Sequence, residues 1–169
     1  MSFTQQAPRK VDGACLFHIA FVRVNAHVMI QEERVSNMQT DPDQTPYELI
    51  GGAETVRNLV NAFYARVAQD PDLSPIFPDD FTEVREKQYM FLTQFLGGPH
   101  LYSQVHGHPM LRKRHLPFPI TPRRAKAWLA CMSRAMDDIR LQGPVRDFIF
   151  ARLSQVARHM VNQPDDTSR

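Results

Sequence analysis

The spacing of apolar residues after Pro46 constrains the fold most. Val56, Leu59, Val60, Phe63, Tyr64 and Val67 recur three or four apart over 51–69. Residues at that spacing share one face of a helix, so the segment reads as amphipathic and half-buried. Asp70-Pro71 ends it, because the residue before a proline is pushed out of helical geometry. After a turn-like link over 73–77, closed by Pro78, a second stripe follows: Phe81, Val84, Gln88, Phe91, Leu92 and Phe95. Asp79 or Asp80 can cap this helix, which is predicted to run to about Leu96, where Gly97-Gly98-Pro99 stops it. Thr121-Pro122 pairs a capping hydroxyl with a proline in the first turn and starts a third helix. Its stripe is Trp128, Leu129, Met132, Ala135, Met136 and Ile139. Gly143-Pro144 divides it from a last helix with Val145, Phe148, Ile149, Leu153, Val156 and Met160. No segment alternates as a strand would, and no repeat is present. The expectation is a compact all-α domain, with residues 99–120 irregular except for a short helical piece before His115.

Composition narrows the class. With 169 residues, 43% hydrophobic and 22% charged, the chain has the profile of one soluble globular domain. A net charge of +2 with both signs interspersed argues against nucleic acid as a partner. No apolar run reaches the roughly 18 residues of a membrane span, so no membrane partner is expected. Cys15 and Cys131 are far apart and form no CxxC pair, which favours no disulfide and a reducing cytoplasm. Residues 1–46 differ from the rest: a mixed apolar section over 14–30, then a polar, proline-containing linker over 36–46. His18, Arg23 and Asn25 interrupt the apolar section, which disfavours a signal peptide. This extension is expected to be poorly ordered, and a start of translation at Met38 is an alternative. Residues 164–169 read as a polar tail.

The chemistry concentrates in His106-Gly-His-Pro-Met-Leu-Arg-Lys-Arg-His115-Leu-Pro-Phe-Pro-Ile120. Cations precede His115, and a proline-framed apolar run follows it. A neutral imidazole ligates iron, cations meet carboxylates, and apolar residues cover a flat hydrophobic ring. Haem offers all three. His106-x-His108 could bind zinc, but no further ligand stands at useful spacing except His115, and a surface turn is the simpler reading. Cys131 reads as a small buried apolar residue. Gln88 stands in the middle of an apolar stripe, where a buried amide without a partner costs on the order of 1–3 kcal/mol. It is either a satisfied core glutamine or a donor into a cavity. Tyr64 and Trp128 pose the same choice on two other stripes. Three polar tips on three apolar faces suggest one lined pocket.

From Tyr47 to Gln163 the chain resembles the group II truncated haemoglobins. The resemblance rests on FYARV (63–67), FLTQFLGGPHLY (91–102), HGHPMLRKRHLPFPIT (106–121), AWLACM (127–132) and ARHMVN (157–162). It implies a globin-like two-over-two helical sandwich over 47–163 around haem b. It implies His115 as the proximal iron ligand, and Tyr64, Gln88 and Trp128 as distal donors. Phe77 and Phe91 would pack on the porphyrin. Lys87, Tyr102, Arg112 and Arg114 would be the candidates for its propionates, with Arg114 favoured because it adjoins the ligand. Val84 departs from the family pattern, which often carries alanine, threonine or serine there; its bulk is expected to narrow direct access from solvent while still bordering the haem.

The resulting expectation is a haem b protein that binds O2, and also CO and NO, with high oxygen affinity from slow release. The alternative is a haem enzyme with peroxidase-like or nitric-oxide-detoxifying activity at the same iron. Turnover would need a reductase, which the sequence does not name. A non-haem structural domain is a third reading, which Phe77, His115 and the distal polar set disfavour.

Overall fold

The structure, a computed structural model, describes residues 44–165. Most of the extension, with its linker and the alternative start at Met38, lies outside the described residues, as does the end of the polar tail. Among the described residues the elements are α1 (Pro46–Leu49), α2 (Gly52–Val67), a 3-10 turn (Ser74–Ile76), α3 (Thr82–Phe95), α4 (Leu101–His106), α5 (Leu111–His115), α6 (Pro122–Asp138) and α7 (Pro144–Met160). No strand occurs among them. The architecture is an all-α helical sandwich: α2 packs on α3 and α6, and α6 on α7.

Local chemistry explains the boundaries. Thr45, assigned from sequence to the linker, instead caps α1. Its hydroxyl accepts from the Glu48 amide at 3.3 Å, and the Glu48 carboxylate returns to the Thr45 amide at 2.8 Å, a reciprocal capping box. Asp80 accepts from the amide and hydroxyl of Thr82 just ahead of α3. Thr121 caps α6 as expected, accepting from the Arg124 amide at 3.3 Å. The Gly97-Gly98 pair has two jobs. Gly97 ends α3 at φ 94°, in the left-handed region that glycine adopts without strain. Gly98 lets α1 approach, since a Cβ there would meet the Tyr47 ring at 2.8 Å and the Thr93 carbonyl at 2.9 Å. The Tyr47 amide then donates to the Leu96 carbonyl at 2.9 Å, tying α1 to the end of α3.

The core lies between α2, α6 and α7. All six stripe residues of α2 are buried, together with Met132, Ala135 and Met136 of α6 and Ile149 and Leu153 of α7. Cys131 is a buried free thiol, as expected. Burial, with the Asp70 carboxylate next in effect, pushes that thiol above its ordinary pKa.

Two expectations need correction. Residues 99–120 are not irregular up to the piece before His115, because Leu101–His106 forms α4. Its contacts are non-local: Gln94 of α3 accepts from the Ser103 amide at 2.9 Å and donates to its hydroxyl at 3.1 Å, while Tyr102 buries edge-on against Phe91. Phe148 does not belong to the buried stripe of α7. It is 49% exposed beside the Arg152 guanidinium, and Phe150 packs against the core instead.

Candidate functional site

A cavity lies between α3, α5, α6 and α7, and its wall is mostly apolar: Leu73, Ile76, Phe77, Phe91, Leu111, Ile120, Ala125, Leu153, Val156, Ala157 and Met160. Among these side chains stand Lys87, Gln88, Tyr102, Arg114, His115, Arg124 and Trp128. Eight of the residues singled out from sequence therefore line one cavity: Phe77, Lys87, Gln88, Phe91, Tyr102, Arg114, His115 and Trp128.

His115 is the last residue of α5. Its Nδ1 lies 2.7 Å from the Leu111 carbonyl one turn earlier. A carbonyl only accepts, so Nδ1 carries the proton and Nε2 keeps its lone pair. The backbone beside it is strapped to the chain's end. The Asn162 side chain donates to the carbonyls of His115 and Phe118 at 3.1 and 3.0 Å and accepts from the Ile120 amide at 3.0 Å. Arg124 reaches the Pro119 carbonyl at 2.7 Å and the Asp72 carbonyl at 3.2 Å, bracing the same loop. Sequence reasoning missed both residues as site elements; Asn162 closes the ARHMVN motif, and only its long-range bonds reveal its task.

Gln88 and Trp128 are half-buried on the cavity wall. Neither side chain makes a hydrogen bond among the described residues, and neither is sealed from the cavity space, so both keep donors available there. Tyr64 is placed differently. It does not line the cavity but packs among Phe63, Phe77 and Phe81, with ring separations of 5.1, 6.0 and 5.4 Å. Its hydroxyl donates to the Val84 carbonyl at 3.4 Å, a weak bond. Burial pushes the phenol above its ordinary pKa, partly offset by Arg85, so it stays protonated and a donor. Val84 is half-buried and meets the site through this carbonyl rather than by lining the cavity.

The cations divide likewise. Lys87 lines the cavity while paired with Glu83 one turn earlier on α3. Arg114 lines it too, with Nε donating to the Pro109 carbonyl at 3.0 Å and its guanidinium carbon 5.8 Å from the Tyr102 ring centre. Arg112 does not reach the cavity. Its guanidinium is held by the carbonyls of His159 and Val161 at the end of α7, so it faces the opposite side of α5. Among the described residues the other histidines do not line this cavity. His106 stacks on Tyr102 with ring centres 4.9 Å apart, and His108 Nδ1 accepts from the Met110 amide in a turn. No cluster of three candidate metal ligands occurs among the described residues.

These residues fit haem. The cavity offers apolar surface for a flat ring, one imidazole with its second nitrogen already committed, cations and a tyrosine at the edge, and two unpaired donors on the wall.

The profile of the bacterial-like globin family matches residues 45–162. The chain is 60% identical over 124 residues to the group 2 truncated hemoglobin YjbI of Bacillus subtilis, covering 73% of this chain and 93% of that protein. It is similar to the crystal structure of the group II truncated hemoglobin from Bacillus anthracis, with TM-score 0.73 and 58% identity over 76% of this chain and 98% of that one. The truncated oxygen-avid haemoglobin from Bacillus subtilis superposes with TM-score 0.69 and 60% identity, over 70% of this chain and all of that one. With its helical order, its single committed histidine and these matches in agreement, the chain belongs to the bacterial-like globins, as a group II truncated haemoglobin.

Proposed function

We propose that this chain is a haem b protein that binds O2, and also CO and NO, with high oxygen affinity set by slow release. Haem, the cofactor that membership of the globin family implies, would be held by His115 and would supply the iron that binds diatomic ligands. The observation that carries the reading is the His115 Nδ1–H bond to the Leu111 carbonyl. It orients the ring and leaves Nε2 as the nitrogen that would ligate iron. Phe77 and Phe91 would cover the ring. Lys87, Arg114 and Tyr102 would meet its carboxylates, with Lys87 moving from Glu83 to do so. Arg112 drops from that set, since its guanidinium is held by backbone carbonyls at the end of α7, away from the cavity.

Gln88 and Trp128 would offer N–H donors to a diatomic ligand, which favours O2 over the less polar CO. Tyr64 stands one layer further out, with a hydroxyl that exchanges its weak bond to Val84 for one to the ligand. The oxygen-avid relative from Bacillus subtilis supports high affinity. The cysteine usage supports a reducing cytoplasm as its compartment, and no described helix is long and apolar enough to cross a membrane.

Absorption spectra of the haem-loaded chain in its ferrous, oxy and CO forms test the reading. An intense Soret band that His115→Ala removes or shifts to that of weakly held haem is expected. A chain that takes up no haem, or whose spectra are indifferent to His115→Ala, would overturn it.

A further inference from the structure

A second recess lies on the other side of α5, opening to solvent between the end of α3, the turn 107–110 and α7. It shares a wall with the haem cavity: Phe91, Leu111, Val156 and Met160 line both. Its floor gains Phe95, and Met110 stands 47% exposed at its edge. Around that floor are Arg112, Lys113, His100, His108 and His159, and no aspartate or glutamate is among its lining residues. Arg112 is bound only to carbonyls, which neutralise none of its charge. Arg152 adds a further cation, 4.8 Å from the Phe95 ring centre. A chain with a net charge of only +2 thus gathers cations around one apolar trough.

We infer that this groove binds a single-chain anionic amphiphile of the fatty-carboxylate class, independently of whether the neighbouring cavity holds haem. An alkyl chain covers the apolar floor at about 0.8 kcal/mol for each methylene removed from water. The carboxylate meets Lys113 at the rim, with Arg112 adding field. An acidic protein face would satisfy the rim but leave the trough unfilled, so the concave apolar floor favours the alkyl chain. Occupancy also reaches the proximal histidine. Leu111 presents its side chain to the groove and its carbonyl to His115 Nδ1, so a chain packed on Leu111 bears on the bond that orients the imidazole.

Calorimetric titration of the full haem-loaded chain in its CO form with dodecanoate below its micellar concentration is the test. CO fills the distal side, so only a separate site can respond. One site per chain is expected, with no response to dodecyltrimethylammonium. Lys113→Glu and Gln155→Glu are exposed changes that leave the haem cavity untouched. Each should weaken binding roughly 5-fold and together roughly 25-fold, as expected for charges placed against a carboxylate. Absence of binding, equal response to the cationic amphiphile, or affinity unchanged in the double variant overturns the proposal. So does binding to phosphatidylglycerol vesicles without binding of monomeric dodecanoate, which would make the groove a membrane contact. In the ferrous form without CO, a shift of the iron–histidine stretching band on adding dodecanoate reads the coupling through Leu111. Calorimetry does not depend on iron and is repeated on the chain as isolated, so a failure to load haem and a failure of the groove are told apart.

Discussion

Two halves of the molecule carry the same stripe pattern and put it to opposite uses. On α2 and α6 the stripes close on each other: Val56, Leu59, Phe63 and Val67 have no exposure, nor do Met132, Ala135 and Met136. On α3 the stripe stays half-open. Only Leu92 and Thr93 are buried, while Phe81, Val84, Gln88, Phe91 and Phe95 are intermediate. On α5 nothing is buried at all. The first half is a finished core that owes its stability to its own side chains. The second is a wall, held by polar straps and waiting for a flat partner to complete it. Amphipathic spacing therefore says that a helix has an apolar face; it does not say whether that face meets protein or cofactor. The polar interruption does not decide it alone either: Gln88 in the stripe of α3 lines the cavity, whereas Tyr64 in the stripe of α2 is buried among aromatic rings.

Substitutions can break this comparison. Phe63→Ala removes a fully buried ring from the finished half and should cost about 3–5 kcal/mol in chemical denaturation, with or without haem. Phe91→Ala removes a half-buried ring from the wall. It should cost the haem-free protein only about 1–2 kcal/mol, while haem transfer to apomyoglobin accelerates roughly tenfold, the kinetic equivalent of about 1.4 kcal/mol. Equal losses of haem-free stability in the two variants would erase the distinction between core and wall.

Tyr64 sits at the seam and sharpens it. Replacing it with phenylalanine should raise the oxygen off-rate about 5-fold, the worth of a bond of about 1 kcal/mol, and leave the CO off-rate nearly unchanged. An unchanged oxygen off-rate would assign the phenol to the core alone. The smallest effect concerns alkali. Burial raises the folded-state pKa of this phenol, whereas in the unfolded chain it ionises near pH 10. Its contribution is complete below about pH 10 and is lost as pH rises through the folded value. Denaturation curves at pH 7 and 11 should therefore show Tyr64→Phe losing less stability than the parent protein.

How much was legible in the chain follows the same division. Helices α2, α6 and α7 were readable because their stripes, caps and breakers are local. Helix α4 was not, because six residues cannot nucleate a helix alone, and the Gln94–Ser103 and Phe91–Tyr102 contacts that hold it are non-local. Phe148 misled because apolarity alone does not separate it from Phe150, two residues further on. At the site, His115, Gln88 and Trp128 were readable as residue types out of place in their surroundings. The division between Arg112 and Arg114 was not: the two lie on one short helix, and the carbonyls that draw Arg112 away are 47 and 49 residues later. The layer separating Tyr64 from the cavity was equally hidden, since it depends on the packing of Phe77 and Phe81.

The Asn162 strap also imposes an order in time. Every described helix precedes this asparagine, so during synthesis the loop that carries His115 emerges from the ribosome well before the side chain that pins it. The α2–α6 contact can form earlier, because both of its partners lie upstream. Fastening of the proximal loop thus waits until α7 has been made, and a stop just before Asn162 would leave the α2–α6 core with its histidine loop unpinned.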